Sequence, residues 1–191
     1  MPRPPRIAVP NGIYHVTSRG NRRQPIFLDD RDRRLFLEMV AVLTVHRGWA
    51  CLGYCLMPNH YHLVVQTPNA DLSAGMKWLN GGYAQSFNFF HRVDGHVFQG
   101  RFYAVLVESD PHLAELVRYL ALNPVRAGLA ETARQWRWSS YPAIAAGRPS
   151  ARFVAADAIL SLFGSDPTRA RRSFVDFVES ASDMAAKSLA A

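Results

Sequence analysis

Lysine is nearly missing from this chain. Among 22 basic residues only Lys77 and Lys187 are lysine, the rest being arginine, and the net charge is +7 with a pI near 9.9. Arginine forks onto phosphate and stacks on flat rings, so the bias points toward a polyanionic partner, although GC-rich coding favours arginine whatever the function. Cysteine is almost as scarce. Cys51 and Cys55 on one extended strand would have α-carbons about 13 Å apart, too far to bridge, which predicts a reduced, cytoplasmic setting. No apolar run approaches a membrane span, and Met1–Arg6 (MPRPPR) lacks the apolar core of a secretory signal, so neither a membrane partner nor export is expected. A Gly-x4-Gly-Lys-Ser/Thr loop is also lacking, which argues against P-loop nucleotide chemistry. What is present, 191 residues with ordinary apolar content, suffices for one well-buried domain with an appendage.

Ile13–Arg19 is rich in β-branched and aromatic residues and ends at Gly20-Asn21, the pattern of a first strand. Asp29 or Asp30 can cap a helix over 31–46 whose apolar stripe is Leu35, Phe36, Met39, Val42 and Leu43. Trp49–Met57 and His60–Thr67 read as strands joined at Pro58-Asn59. A second long helix follows Pro68–Asp71 and runs to His91. Its Gly81-Gly82 pair, at about 1 kcal/mol per glycine relative to alanine, predicts a kink or close packing. Arg101–Glu108 is a fourth strand, and Asp110-Pro111 starts a helix that Asn123-Pro124 should stop after Leu122.

The order β-α-β-β-α-β-α contains the ferredoxin-like split arrangement, a single antiparallel sheet with two crossover helices. In it strands one and three are neighbours, which brings His15 and Arg19 beside His60 and His62. The expected class is α+β, with an added helix and a helical C-terminal extension. Residues 1–131 form the expected main domain. Residues 132–191 form an extension with a basic-aromatic segment and helices over 154–163 and 167–181.

The chemistry begins at His60-Tyr61-His62. On a strand, residues i and i+2 share a face, so the two imidazoles stand about 6–7 Å apart and can converge on one metal ion. The plainer alternative is a polar sheet face. On the helix after residue 110, Leu113, Leu116, Val117 and Leu120 form the buried stripe, and Tyr119 and Asn123 lie off it at i, i+4. Together they offer a nucleophile and an oxygen donor; singly, each reads as a boundary tyrosine and a helix stop.

Five stretches fall in register from residue 12 to 142: Tyr14–Asn21 (YHVTSRGN), Met57–Leu63 (MPNHYHL), Gln99–Phe102 (QGRF), Arg118–Gly128 (RYLALNPVRAG) and Trp138–Tyr141 (WSSY). In this combination the chain resembles the single-tyrosine HUH transposases, specifically the REP-associated tyrosine transposases. The resemblance implies that His60 and His62, with Asn123 as third ligand, bind a divalent ion, Mg²⁺ or Mn²⁺. It also implies that Tyr119 attacks a scissile phosphate in single-stranded, hairpin-bearing DNA, leaving a 5′-phosphotyrosine link and a 3′-OH. Classical insertion-sequence relatives carry glutamine where this chain has Asn123.

Arg19, Arg22, Arg23 and Arg101 are candidate phosphate contacts, and Trp136, Trp138 and Tyr141 candidate base-stacking residues. A tyrosine, ordinarily near pKa 10, costs on the order of 4 kcal/mol to ionise at neutral pH, and the sequence names no general base. The alternative on the same scaffold is a non-cleaving, host-adapted DNA-binding regulator. A metallohydrolase lacks the extra histidine or carboxylate ligands such sites use. Monomer and homodimer both remain open from sequence.

Overall fold

The computed structural model describes residues 8–148 and 153–189, with side chains as far as residue 180. Of the proline-rich start, Pro4 and Pro5 lie outside the described residues. Four strands, β1 (Gly12–Arg19), β2 (Ala50–Met57), β3 (His60–Thr67) and β4 (Tyr103–Val107), form one sheet in the order β2-β3-β1-β4. β1 runs antiparallel to both β3 and β4, so strands one and three are the central pair, as the ferredoxin-like reading requires. Two long helices, α1 (Asp30–Arg47) and α2 (Leu72–His91), supply the crossovers. They are followed by α3 (Asp110–Arg126), α4 (Tyr141–Ala145), α5 (Ala156–Leu160) and α6 (Pro167–Leu189).

The described chain groups into two compact units. The first holds the residues up to Cys51 together with Leu56–Val107; the second holds Leu52–Cys55 and everything from Glu108 onward. α3 therefore groups with the C-terminal helices, whereas the sequence reading put it with the sheet up to residue 131.

In the first unit α1 starts at a reciprocal capping box. Asp32 donates its N–H to Asp29 Oδ1 at 3.0 Å, and Asp29 donates its own to Asp32 Oδ2 at 3.4 Å. These bonds satisfy donors the first turn leaves open. Gly48, at φ +65°, ends the helix in the left-handed conformation that favours glycine. The buried stripe is Phe36, Val40 and Leu43, with Val42 39% exposed; the expected stripe was rotated by part of a turn. Asp32 itself is buried and pairs with His91 at the far end of α2. Phe27, Phe36, Tyr61, Tyr83 and Phe98 make an aromatic core beneath the sheet. Of the glycine pair, Gly82 is the close approach: a Cβ there would stand 2.7 Å from Met39 Cε of α1, while Gly81 faces open space.

In the second unit Leu113, Leu116, Val117 and Leu120 are all buried, as the wheel predicts. The predicted stop at Asn123-Pro124 is corrected, because α3 continues to Arg126. Proline forfeits one backbone bond, but the turn still closes through Ala127 N–H to Asn123 O and Leu129 N–H to Pro124 O. Tyr141 and Phe163 pack on Phe174 of α6. Both cysteines are buried, and no disulfide joins them. Among the described residues no helix is long and apolar enough to cross a membrane.

Candidate active site

Strand alternation sends His60 and His62 to one face of β3 and Tyr61 to the other. Tyr61 is fully buried, its ring 4.6 Å from Phe36, and its hydroxyl donates to Asn80 Oδ1 of α2 at 2.6 Å. Burial drives the phenol pKa upward, so Tyr61 serves as a neutral donor that anchors the strand between the two histidines.

The two imidazoles have ring centroids 5.0 Å apart and nearly perpendicular planes. Each is gripped at Nδ1. Asn59 Nδ2 donates to the Arg23 carbonyl at 3.0 Å, which turns Asn59 Oδ1 toward His60 Nδ1 at 2.7 Å. An amide oxygen only accepts, so His60 carries its proton on Nδ1 and presents a lone pair at Nε2. His62 Nδ1 lies 2.9 Å from His15 Nε2, the two rings stacked with centroids 5.2 Å apart. When His62 is the donor, its Nε2 likewise carries a lone pair. Burial, reinforced by Arg19, lowers His60 to about pKa 4. Burial, with His15, His60 and Arg19 adding to it, lowers His62 to about 3. Both rings are thus neutral at pH 7, the form that ligates a metal.

Around the pair lies a cleft of about 170 Å³ lined by Thr17, Arg19, Gln99, Arg101 and Tyr103. Its far wall is fastened to the end of β1: Asn21 N–H bonds Val97 O at 2.8 Å, and Gln99 N–H bonds Arg19 O at 3.0 Å. Arg22 and Arg23 stand exposed on the 3₁₀ turn after β1, both with positive φ. The first unit therefore assembles His60, His62, Arg19 and Arg101 in one cleft, with Arg22 and Arg23 on the turn beside it.

The donor set suits a divalent ion in part. Two neutral imidazoles held at Nδ1 are an oriented ligand pair. No group of three His, Cys, Asp or Glu side chains able to hold a metal occurs among the described residues, so a third protein ligand has to be of another type, such as an amide oxygen.

Tyr119 and Asn123 stand on α3 in the second unit. Tyr119 is 37% exposed, with the Arg126 guanidinium 5.6 Å from its ring centroid; Asn123 is half-buried. Glu115, one turn before Tyr119, is ion-paired with Arg118. Trp136 and Trp138 are half-buried, and Arg137 lies 4.8 Å from the Trp138 ring. Tyr141 needs correction as a stacking residue. It is 2% exposed, its ring packs on Phe174, and its hydroxyl donates to Glu179 at 2.7 Å, where Arg134 also binds. A ring enclosed in this way offers no face to a base.

Sequence reasoning missed Asn59 and Tyr103. Asn59 read only as a turn residue, and its grip on His60 depends on the Arg23 carbonyl, which no local pattern reveals. Tyr103 reaches the cleft through the pairing of β4 with β1.

The family model described as IS200-like transposase matches residues 8–123, a span that includes His60, His62, Tyr119 and Asn123. A curated Haemophilus influenzae protein, described as a candidate REP-associated tyrosine transposase, is 26% identical over 107 residues, which is 50% of this chain. The match spans 61% of that relative's length. A solved structure described as a REP-associated tyrosine transposase bound to a REP hairpin superposes with a TM-score of 0.65 at 18% identity, covering 82% of this chain and 90% of the other. That likeness is one of fold.

Proposed function

The chain belongs to the IS200-like transposase family, and from that premise we propose that it is a metal-dependent DNA strand nicking and joining enzyme with Tyr119 as nucleophile. The observation that carries the proposal is the pair of neutral imidazoles, each oriented through Nδ1, in a cleft walled by Arg19 and Arg101. The proposed substrate is single-stranded DNA bearing a hairpin of the REP type. Residues 1–131 form the proposed catalytic module, with 132–191 as its extension.

His60 and His62 would hold the ion through Nε2, with the Asn123 side-chain oxygen as third ligand. A divalent ion bound there supplies Lewis-acid polarisation of a phosphate oxygen. Arg19 and Arg101, with Arg22 and Arg23 beside them, hold the DNA backbone by charge-assisted hydrogen bonds. The Tyr119 hydroxyl gives up its proton and its oxygen forms a bond to the 5′ phosphate as the P–O3′ bond breaks. The departing 3′ oxygen takes up a proton, so no net proton is gained or lost. The phosphodiester energy is retained in the phosphotyrosine bond, so the reverse attack by a 3′-OH rejoins DNA without a nucleotide cofactor. Arg126 lies against the Tyr119 ring, its guanidinium 5.6 Å from the ring centroid. Trp136 and Trp138 are proposed DNA contacts of the extension.

Incubation with labelled hairpin single-stranded DNA and Mn²⁺ or Mg²⁺ should yield a covalent adduct on a denaturing gel. Tyr119→Phe should abolish it, and His60→Ala should remove metal-dependent cleavage with hairpin affinity retained. An adduct that persists in Tyr119→Phe refutes the nucleophile. Tight hairpin binding by wild type with no cleavage under any divalent ion turns the reading into that of a non-cleaving DNA-binding regulator.

A further inference from the structure

Thr17 in the middle of the sheet pairs with His62 on one side and with Tyr103 on the other. Directly opposed residues on antiparallel strands project to the same face, so His62, Thr17 and Tyr103 form one row. With two strand spacings between them, the outer α-carbons lie about 10 Å apart. Tyr103 also lines the histidine cleft together with Arg19, Gln99 and Arg101. Its side chain is 67% exposed, and among the described residues it has no hydrogen bond or ring contact. A large aromatic left open on a sheet face adds little to the core, while one that lines a single cleft with a histidine pair and two guanidinium groups has both surfaces a nucleotide needs. The ring offers a π-face to a base, and Arg101 and Arg19 offer cations to the flanking phosphates.

We propose that Tyr103 is a base-stacking platform on which an unpaired nucleobase next to the scissile phosphate lies flat, a subsite for single-stranded DNA on the first unit. This rests on the strand-cleavage reading above and adds a binding element to it. The platform works through its ring and not through its hydroxyl. Phenylalanine and tryptophan should therefore replace it, and alanine should not. Stacking tolerates any base, so the subsite would position the strand without reading its sequence.

The test uses the full chain and a hairpin DNA with single-stranded flanks, in which 2-aminopurine replaces each flank base in turn. In wild type and in Tyr103→Phe, one flank position should lose fluorescence on binding. In Tyr103→Ala that quench should vanish, and hairpin affinity should drop about 5- to 150-fold. Circular dichroism melts verify that the alanine variant is folded, and Tyr103→Trp provides a second variant that should match or exceed wild-type affinity. Equal affinity and an equal quench in Tyr103→Ala overturn the platform. So does loss of covalent adduct in Tyr103→Phe with the quench intact, since the hydroxyl would then be the chemical group. A wild type that quenches at a Tyr103-dependent position but never forms an adduct overturns the cleavage reading alone. An adduct that forms with no Tyr103-dependent quench overturns the platform alone.

Discussion

Replacing His15 with phenylalanine tests the orientation of the ligand pair. His15 and His62 stack with centroids 5.2 Å apart and planes 16° from parallel, and their nitrogens meet at 2.9 Å. Phenylalanine keeps the flat ring and removes the nitrogen. His62 is only 6% exposed, so its Nδ1–H would have little access to water as a substitute acceptor. Leaving such a donor unsatisfied costs about 1–3 kcal/mol. The cost falls on the Nδ1–H tautomer alone, the one whose Nε2 can ligate, and it shifts His62 toward the Nε2–H form that cannot. Mn²⁺ affinity should therefore weaken about 10- to 100-fold, the range found when a partner behind a ligand is removed. His15→Gln, whose side-chain oxygen can accept from Nδ1, should recover much of the loss. The assay is a Mn²⁺ titration of DNA-free protein followed by the electron paramagnetic resonance of free Mn²⁺, with urea unfolding run alongside. A His15→Phe variant that stays folded and binds Mn²⁺ as tightly as wild type refutes the reasoning.

Three further outcomes follow from the geometry. In metal-free protein an unfolded histidine takes its proton near pH 6.5, whereas His60 and His62 wait until about 4 and about 3. The unfolded state thus binds more protons in that window, and the urea midpoint should fall as pH drops from about 6.5 toward about 4; replacing both histidines with glutamine should flatten the profile, and an unchanged slope contradicts the shifts. Gly75→Ala should destabilise by about 1–3 kcal/mol because its Cβ would meet the Trp49 ring at 2.2 Å. Gly81→Ala, facing open space, should instead stabilise by about 0.5–1 kcal/mol, and thermal melts of the pair that move in the same direction count against that packing. Asp32→Ala should cost about 3–5 kcal/mol in urea unfolding, since it strips a buried carboxylate from the Leu28 N–H at 2.8 Å and from His91; a loss under 1 kcal/mol would mean the carboxylate holds little.

Much of the fold was legible because its signals are local. The alternation in His60–Thr67 gave β3 to the residue, and Asp29, one of two aspartates read as a helix cap, stands at the start of α1. Where the reading failed, distant partners had overridden local preference. Asn123-Pro124 carries a stop signal, yet α3 passes through it because carbonyls in the last turn find other donors. Tyr141 read as a candidate base-stacking ring with two tryptophans, but Phe174 and Glu179, far along the chain, enclose it. The histidine pair could be read from a spacing of two. Its Nδ1 partners could not, since one reaches across the sheet and the other depends on a carbonyl in the turn after β1.

Tyr61 joins these two kinds of information. Strand side chains alternate, so a one-residue slip of β3 against β1 would drive both imidazoles into the aromatic layer and bring Tyr61, Leu63 and Val65 out into the cleft. Such a chain would bury polar rings without partners and strand the Asn80 amide beneath the sheet. Errors of register are therefore removed as folding failures before they can accumulate as inactive but stable protein. Any molecule of this chain that keeps its aromatic core has, by the same act, set its two histidines side by side, and folding acts as the proofreader of the chemistry.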